Sequence, residues 1–147
     1  IPYTILRYAN VYGIGQDPKG EGGVVSILVD RIVTDQLFTV FGDGEQTRDF
    51  ICVDDIVAAN MLASEKPINT VVNISTNLST SLIQLLQTAE KVINHKIETV
   101  FKEERAGDIK HSYLNNEKAI ELLGWKPQLT LEQGLAKTIE FYKSKQA

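Results

Sequence analysis

Short runs of β-branched and aromatic residues alternate with longer stretches of helical period along this chain, and no other feature constrains its fold as much. Ile1–Tyr8, Phe38–Gly42, Arg48–Val53, Thr70–Ser75 and Ile97–Phe101 read as strands. Val24–Thr34 carries apolar residues at Val24, Val25, Leu28, Val29, Ile32 and Val33, the spacing of a helix with one wide apolar face. A second helix runs to about Glu65, with Asp54 or Asp55 as its expected cap. Ser81-x-x-Gln84 and Thr130-x-x-Gln133 have the form of capping boxes and open two more, the last reaching about Lys145. A further helix begins at Asn115 and stops at Gly124. Strands separated by helices specify an α/β arrangement.

Composition narrows what such a fold can do. The 147 residues suit one domain or a large piece of a bigger one. The formal charge is −4, from 15 Lys and Arg against 19 Asp and Glu, which argues against a nucleic-acid binder because backbone affinity needs a concentrated basic surface. No apolar run approaches the roughly 20 residues of a membrane span, so no membrane role is expected. The single cysteine, Cys52, excludes an internal disulfide and fits a reducing, cytoplasmic compartment. The chain opens on Ile1 and enters a strand at once, which leads to the expectation that it is part of a longer polypeptide.

Asn10–Gly23 reads as a loop of 14 residues that holds five of the ten glycines, and loops of that length are often functional. Of four arginines, Arg48 and Arg105 lie beside glycines in loops. The planar guanidinium fork matches phosphate oxygens in pairs. With the helix start at Gly22-Gly23, whose free N–H groups favour an anion, these arginines form a candidate diphosphate cradle. Spacing alone leaves a second reading open, in which Arg48 and Arg105 are surface residues paired with Asp49 and Asp108. Asn10 leaves the first strand at the edge where open parallel sheets bind ligands, and its amide suits a sugar hydroxyl or phosphate. The alternative is an Asn that ends the strand by bonding to the turn.

Other chemistry is not legible. No G-x-G-x-x-G or P-loop occurs, and no Tyr is followed four residues later by Lys. His95 and His111 have no flanking ligand pattern, so no metal site is expected. Cys52 sits in an expected strand and reads as a small buried apolar residue. No catalytic residue is assigned within the chain.

Seven motifs in order carry a resemblance. They are Leu6-Arg7-Tyr8-Ala9-Asn10-Val11-Tyr12-Gly13, Gly22-Gly23-Val24-Val25-Ser26-Ile27, Val40-Phe41-Gly42-Asp43-Gly44-Glu45-Gln46-Thr47-Arg48-Asp49-Phe50, Val53-Asp54-Asp55, Asn73-Ile74-Ser75, Arg105-Ala106-Gly107-Asp108 and Leu123-Gly124-Trp125-Lys126-Pro127. Each is weakly specific alone, yet together they span essentially the whole chain. They resemble the C-terminal half of the NAD-dependent sugar-nucleotide epimerase/dehydratase family, within the extended short-chain dehydrogenases/reductases, with the nearest likeness to bacterial UDP-glucose 4-epimerases.

The resemblance implies a fold of rim strands from a Rossmann-type parallel sheet plus a small α/β substrate-binding domain. Residues 1–13 and 70–94 would belong to the Rossmann domain, and the NAD-binding half with its catalytic Tyr-x-x-x-Lys pair would lie upstream. Asn10 would contact the substrate's diphosphate or sugar, and Tyr8 the nicotinamide end of NAD. Gly23 and Val24 would start the helix facing the nucleotide, Val40 and Phe41 would flank the uracil, Arg48 and Arg105 would clamp the diphosphate, and Asp108 would bond the ribose. The implied chemistry is interconversion of UDP-glucose and UDP-galactose through a 4-keto intermediate, by a homodimer that uses NAD, with this chain inactive alone. A nucleotide-sugar dehydratase, decarboxylase or reductase, or a non-catalytic nucleotide-sugar-binding module, is the alternative; the Gly-Gly-Val-Val-Ser-Ile run favours the epimerase. Two positions depart from the family pattern: Ile14 stands where Pro is usual, and Cys52 where Tyr is often found.

Overall fold

A computed structural model describes residues 1–19 and 23–146. Gly20, Glu21 and Gly22 of the Gly-rich loop lie outside the described residues, and with them the Gly22 part of the expected helix start. The elements in chain order are β1 (Thr4–Tyr8), β2 (Asn10–Tyr12), α1 (Val24–Thr34), β3 (Phe38–Phe41), β4 (Thr47–Arg48), β5 (Phe50–Cys52), α2 (Val53–Glu65), β6 (Thr70–Ile74), β7 (Thr80–Ser81), α3 (Leu82–Ile93), β8 (Thr99–Lys102), a π-helical turn (Ala119–Leu123) and α4 (Leu131–Ser144). β1 pairs with β6, β2 with β5 and β3 with β8, all parallel, while β4 and β7 pair antiparallel. Parallel pairs joined through helices make this an α/β fold, as the alternation predicts.

The differences from the sequence reading have local causes. Asn10–Tyr12 is a strand and not loop, because it pairs with Phe50–Cys52, some forty residues on. Arg48–Val53 is not one strand. It breaks at Asp49 into β4, which pairs with β7, and β5, which pairs with β2. Neither Asp54 nor Asp55 caps α2: Cys52 stands at the N-cap with no side-chain bond, and both aspartates fall in the first helical turn. The helix expected from Asn115 has its start capped, since the Asn115 side chain accepts from the Glu117 N–H at 2.9 Å, but it widens into a π turn that ends on Gly124 at φ 67°. Both capping boxes are present, at Ser81–Gln84 and Thr130–Gln133.

The pair β2–β5 is a wall between two hydrophobic cores. Phe50 and Cys52 face one core with Leu28, Phe38, Val40, Leu85 and Leu135, drawn from α1, β3, α3 and α4. Ile51, between them, faces the other with Ile56, Val72, Ile74, Leu123 and Trp125. Alternation along an extended chain, with successive side chains on opposite faces, divides the cores within three residues. Tyr12 enters the first core so closely that a Cβ on Gly134 of α4 would lie 2.0 Å from its hydroxyl oxygen.

Two buried carboxylates tie loops to this wall. Asp49 is 1% exposed. Its Oδ1 accepts from the Thr76 N–H at 2.9 Å and the Thr76 hydroxyl at 2.7 Å, and its Oδ2 from the N–H groups of Asn77 at 3.1 Å and Leu114 at 3.3 Å. Asp55 accepts from the N–H groups of Gln128 and Leu129, while its carbonyl accepts from the Trp125 indole at 3.0 Å. A buried carboxylate is tolerable because its lone pairs are filled by donors.

Asp49→Ala leaves the N–H groups of Thr76, Asn77 and Leu114 without their acceptor, so urea unfolding shows a loss of about 3 kcal/mol or more; a loss below about 1 kcal/mol refutes this account of the joint. Tyr12 makes a second prediction. Burial, then the charges of Cys52, Asp55 and Asp54, push its hydroxyl well above the usual tyrosine value of 10.0. A raised folded value favours the neutral phenol, so its share of stability is intact below about pH 10 and is lost as pH rises beyond the unfolded value. Tyr12→Phe therefore flattens the alkaline limb of the stability curve. An unchanged alkaline limb, or a Tyr12 phenolate absorbance in the native protein near pH 10, contradicts it.

Candidate functional site

A cleft of about 710 Å³ opens beside α1 and β3. Asn10, Gly23, Val24 and Phe41 line it together with Arg48, Arg105 and Asp108. Seven of the residues singled out in the sequence thus meet at one place, although they come from segments nearly a hundred residues apart.

Each is positioned by an identifiable constraint. Burial of Asp49 turns its neighbour Arg48 to the opposite face, where the guanidinium donates to the Thr47 carbonyl at 2.8 Å and keeps its other donors for the cleft. Arg105 lies over the ring of Phe41, 3.7 Å from its centre, an attraction between a cation and an aromatic face. Gln46 fixes the neighbouring backbone by donating to the Phe41 carbonyl at 2.9 Å. Gly44 holds the connecting turn at φ 80°, and a Cβ there would come within 2.6 Å of Ile83, so the turn needs glycine for conformation and for space. The N-terminus of α1 reaches the cleft through Gly23 with no side-chain cap and no acidic residue in its first turn, which leaves its dipole for an anion.

The alternative of simple surface ion pairs is not what forms. Among the described residues, the ion pairs involve neither Arg48 with Asp49 nor Arg105 with Asp108. Asn10 does not end a strand through a turn bond either; it begins β2, and its N–H donates to the Asp49 carbonyl at 2.8 Å.

Two of the expected residues stand elsewhere. Val40 is 0% exposed, in the core beneath the cleft, since alternation along β3 sends Phe38 and Val40 inward and Thr39 and Phe41 outward. Tyr8 lies outside the lining, and its hydroxyl donates to Asn60 Oδ1 of α2 at 3.0 Å.

Gln16 and Arg31 are among the lining residues that sequence reading passed over. Gln16 brings its amide to Gly23, and its Oε1 is buried with no partner among the described residues. It lay in the Gly-rich loop without a motif of its own. Arg31 belongs to α1, of which the sequence reading follows only the apolar positions; its spacing from Val24 and Ile27 on one helix face is the available signal.

Electrostatically the cleft stands apart from the rest of the protein. Among the described residues its lining holds three arginines against Asp108, a local +2 on a chain of net −4. A smaller hollow of about 230 Å³ adjoins it, shares Phe41, Gln46 and Asp108, and adds Asp43, Glu45 and Glu104 against Lys110. The larger cleft is the place for an anion, and the smaller repels one. The glycines between β2 and α1 do not have the G-x-G-x-x-G spacing.

The family model described as NAD dependent epimerase/dehydratase family matches residues 1–77. The UDP-glucose 4-epimerase of Mycolicibacterium smegmatis is 40% identical over 138 residues, which cover 93% of this chain and 44% of that protein. Among solved structures, UDP-glucose 4-epimerase of Thermotoga maritima with UDP-glucose superposes with a TM-score of 0.94 at 45% identity, over 100% of this chain and 48% of that one. The UDP-N-acetylglucosamine 4-epimerase of Methanobrevibacter ruminantium, in complex with UDP-N-acetylmuramic acid, gives 0.92 at 32%, over 99% and 47%. The chain spans about half the length of the curated relatives it matches. With a family model over more than half of its residues and a fold shared along its whole length, the chain belongs to the NAD dependent epimerase/dehydratase family.

Proposed function

We propose that this chain is the nucleotide-sugar-binding portion of a UDP-glucose 4-epimerase-like enzyme, which interconverts UDP-glucose and UDP-galactose through a 4-keto intermediate. The observation that carries the reading is the convergence of Arg48 and Arg105 on one cleft of local charge +2. Two guanidinium groups and an uncapped helix end match a diphosphate in charge and in donor geometry. Asn10 and Gln16 add amides at the α1 start, where a hydroxyl-bearing sugar fits, and the unpartnered Gln16 Oε1 offers that sugar an acceptor. Asp108 serves the ribose, and Phe41, with Val40 beneath it, supports the base. The epimerase is preferred over a dehydratase, decarboxylase or reductase because the relatives at 40% identity and at a TM-score of 0.94 are UDP-glucose 4-epimerases.

Binding energy gathered here, away from the reacting carbon, positions the sugar for chemistry done elsewhere. Oxidation and reduction at C4 use NAD, held mainly by residues beyond this chain, with Tyr8 at its nicotinamide end. Residues 1–13 and 70–94 are assigned to the Rossmann domain; the parallel pairing of Thr4–Tyr8 with Thr70–Ile74 supports this for β1 and β6, whereas α3 packs with α1, β3 and α4. The active enzyme is read as a cytoplasmic homodimer; in the chain itself, no described helix is long and apolar enough to cross a membrane.

Calorimetric titration with UDP tests the grip. Arg48→Ala weakens binding by about 1.5–3 kcal/mol, the worth of a hydrogen bond to a charged group. Equal affinity in the two proteins removes Arg48 from the site. UDP-galactose with added NAD is not turned over by the chain alone, and turnover would place the chemistry inside it.

A further inference from the structure

The arginine on α1 bears on which base the cleft takes. Val24, Ile27 and Arg31 line the cleft from one face of the helix, at i, i+3 and i+7, and so run about 10 Å along its wall. Gly23 and Gln16 mark one end of that wall. Arg31 marks the other, where three residues, Asp35–Leu37, join α1 to β3. Its guanidinium donates to Gln36 of that connection and lies 3.8 Å from the Asp30 carboxylate, one residue before it in α1. Of the five N–H donors of a guanidinium, those contacts occupy the fewer. From β3, which follows that connection, Thr39 and Phe41 line the same cleft.

We propose that Arg31 reads the nucleobase, donating to a carbonyl oxygen on its edge, so that the cleft favours a base with an oxygen acceptor, such as uracil, over one with an amino group there, such as cytosine. The inference rests on the nucleotide-sugar reading and deepens it. A diphosphate held by Arg48 and Arg105 sends its two substituents in opposite directions. The Asn10–Gln16–Gly23 end offers amides with donors and acceptors, the pattern for hydroxyls. The Arg31–Thr39 end offers guanidinium donors and a hydroxyl, the pattern for a planar ring with exocyclic oxygens. Arginine has no acceptor, so an amino group facing it is left without a partner, and that loss is the source of discrimination. The competing role for Arg31 is purely local: a cation in the last turn of α1, favoured by the helix dipole and held by Asp30 and Gln36.

Titration of the chain with UDP, CDP and inorganic pyrophosphate separates these roles, with thermal midpoints as the control for folding. Arg31→Ala is expected to weaken UDP about tenfold, to leave pyrophosphate within about twofold, and to erase most of the preference for UDP over CDP. Arg31→Lys, which keeps the charge but not the fork, recovers part of the UDP affinity. Arg31→Gln serves in place of the alanine variant if that one fails to fold. Unchanged UDP binding in the variants overturns the proposal and leaves Arg31 a helix-end residue. Equal weakening of UDP and pyrophosphate also overturns it and makes Arg31 a phosphate ligand. If the unaltered chain binds neither UDP nor pyrophosphate, the nucleotide-sugar reading itself falls, an outcome distinct from both.

Discussion

The buried carboxylate of Asp49 is the constraint on which the rest of the structure depends. A carboxyl group at 1% exposure survives only if donors surround it, and here they come from two segments remote from it in the chain, Thr76–Asn77 and Leu114. Meeting that demand pulls the segment after β6 and the segment before the π turn onto the strand between the cores. The same residue's carbonyl takes the N–H of Asn10, which sets the register of β2 on β5. Because neighbouring side chains of an extended chain point opposite ways, a carboxylate turned inward leaves Arg48 turned outward. One requirement, that a buried carboxyl group be met by donors, thus organises the joint between cores and aims a cation at the cleft.

The cleft gathers positive charge by different means at each arginine. Arg48 is aimed by the strand, Arg105 rests on the Phe41 ring, and Arg31 rides on a helix face. Collecting +2 on a protein of net −4 creates a local attraction that the acidic remainder of the surface does not dilute at short range, since screening in salt acts over about 8–10 Å. The adjoining acidic hollow sharpens the contrast and bounds where an anion can settle. Neutral recognition groups, the amides of Asn10 and Gln16 and the ring of Phe41, sit around this charge, so that orientation and attraction come from separate residues.

Elements with self-contained signals were legible in the sequence. α1 runs over Val24–Thr34 as its apolar spacing predicts, and α3 and α4 start at capping boxes whose two bonds are local to four residues. β3 and β6 carry enough β-branched and aromatic residues to declare themselves. Asn10–Tyr12 was not legible as a strand, because three residues beside a glycine-rich loop acquire extended pairing only when Phe50–Cys52 is laid alongside. Asp54 and Asp55 looked like caps because the local pattern allows it. The Asp55 side chain instead answers the N–H groups of Gln128 and Leu129, which local pattern does not contain. In the site, the arginine pair and Asn10 were found through their chemistry and glycine neighbours. Arg31 and Gln16 were missed because lining a cleft is a matter of position, and neither residue type in its own segment is unusual.

The sequence by itself determined the alternation of strands and helices, the starts of α1, α3 and α4, and the presence of side chains whose chemistry suits a diphosphate, since all of these depend on residue type and on spacings of a few residues. Only the tertiary structure decided that β2 and β5 form the wall between cores, that Arg48 leaves Asp49 unpaired with it, that Val40 lies beneath the cleft while Phe41 lines it, and that a helix-borne arginine joins them. Those outcomes turn on burial and on hydrogen bonds between segments tens of residues apart. Such contacts arise only once the chain has closed on itself and excluded water.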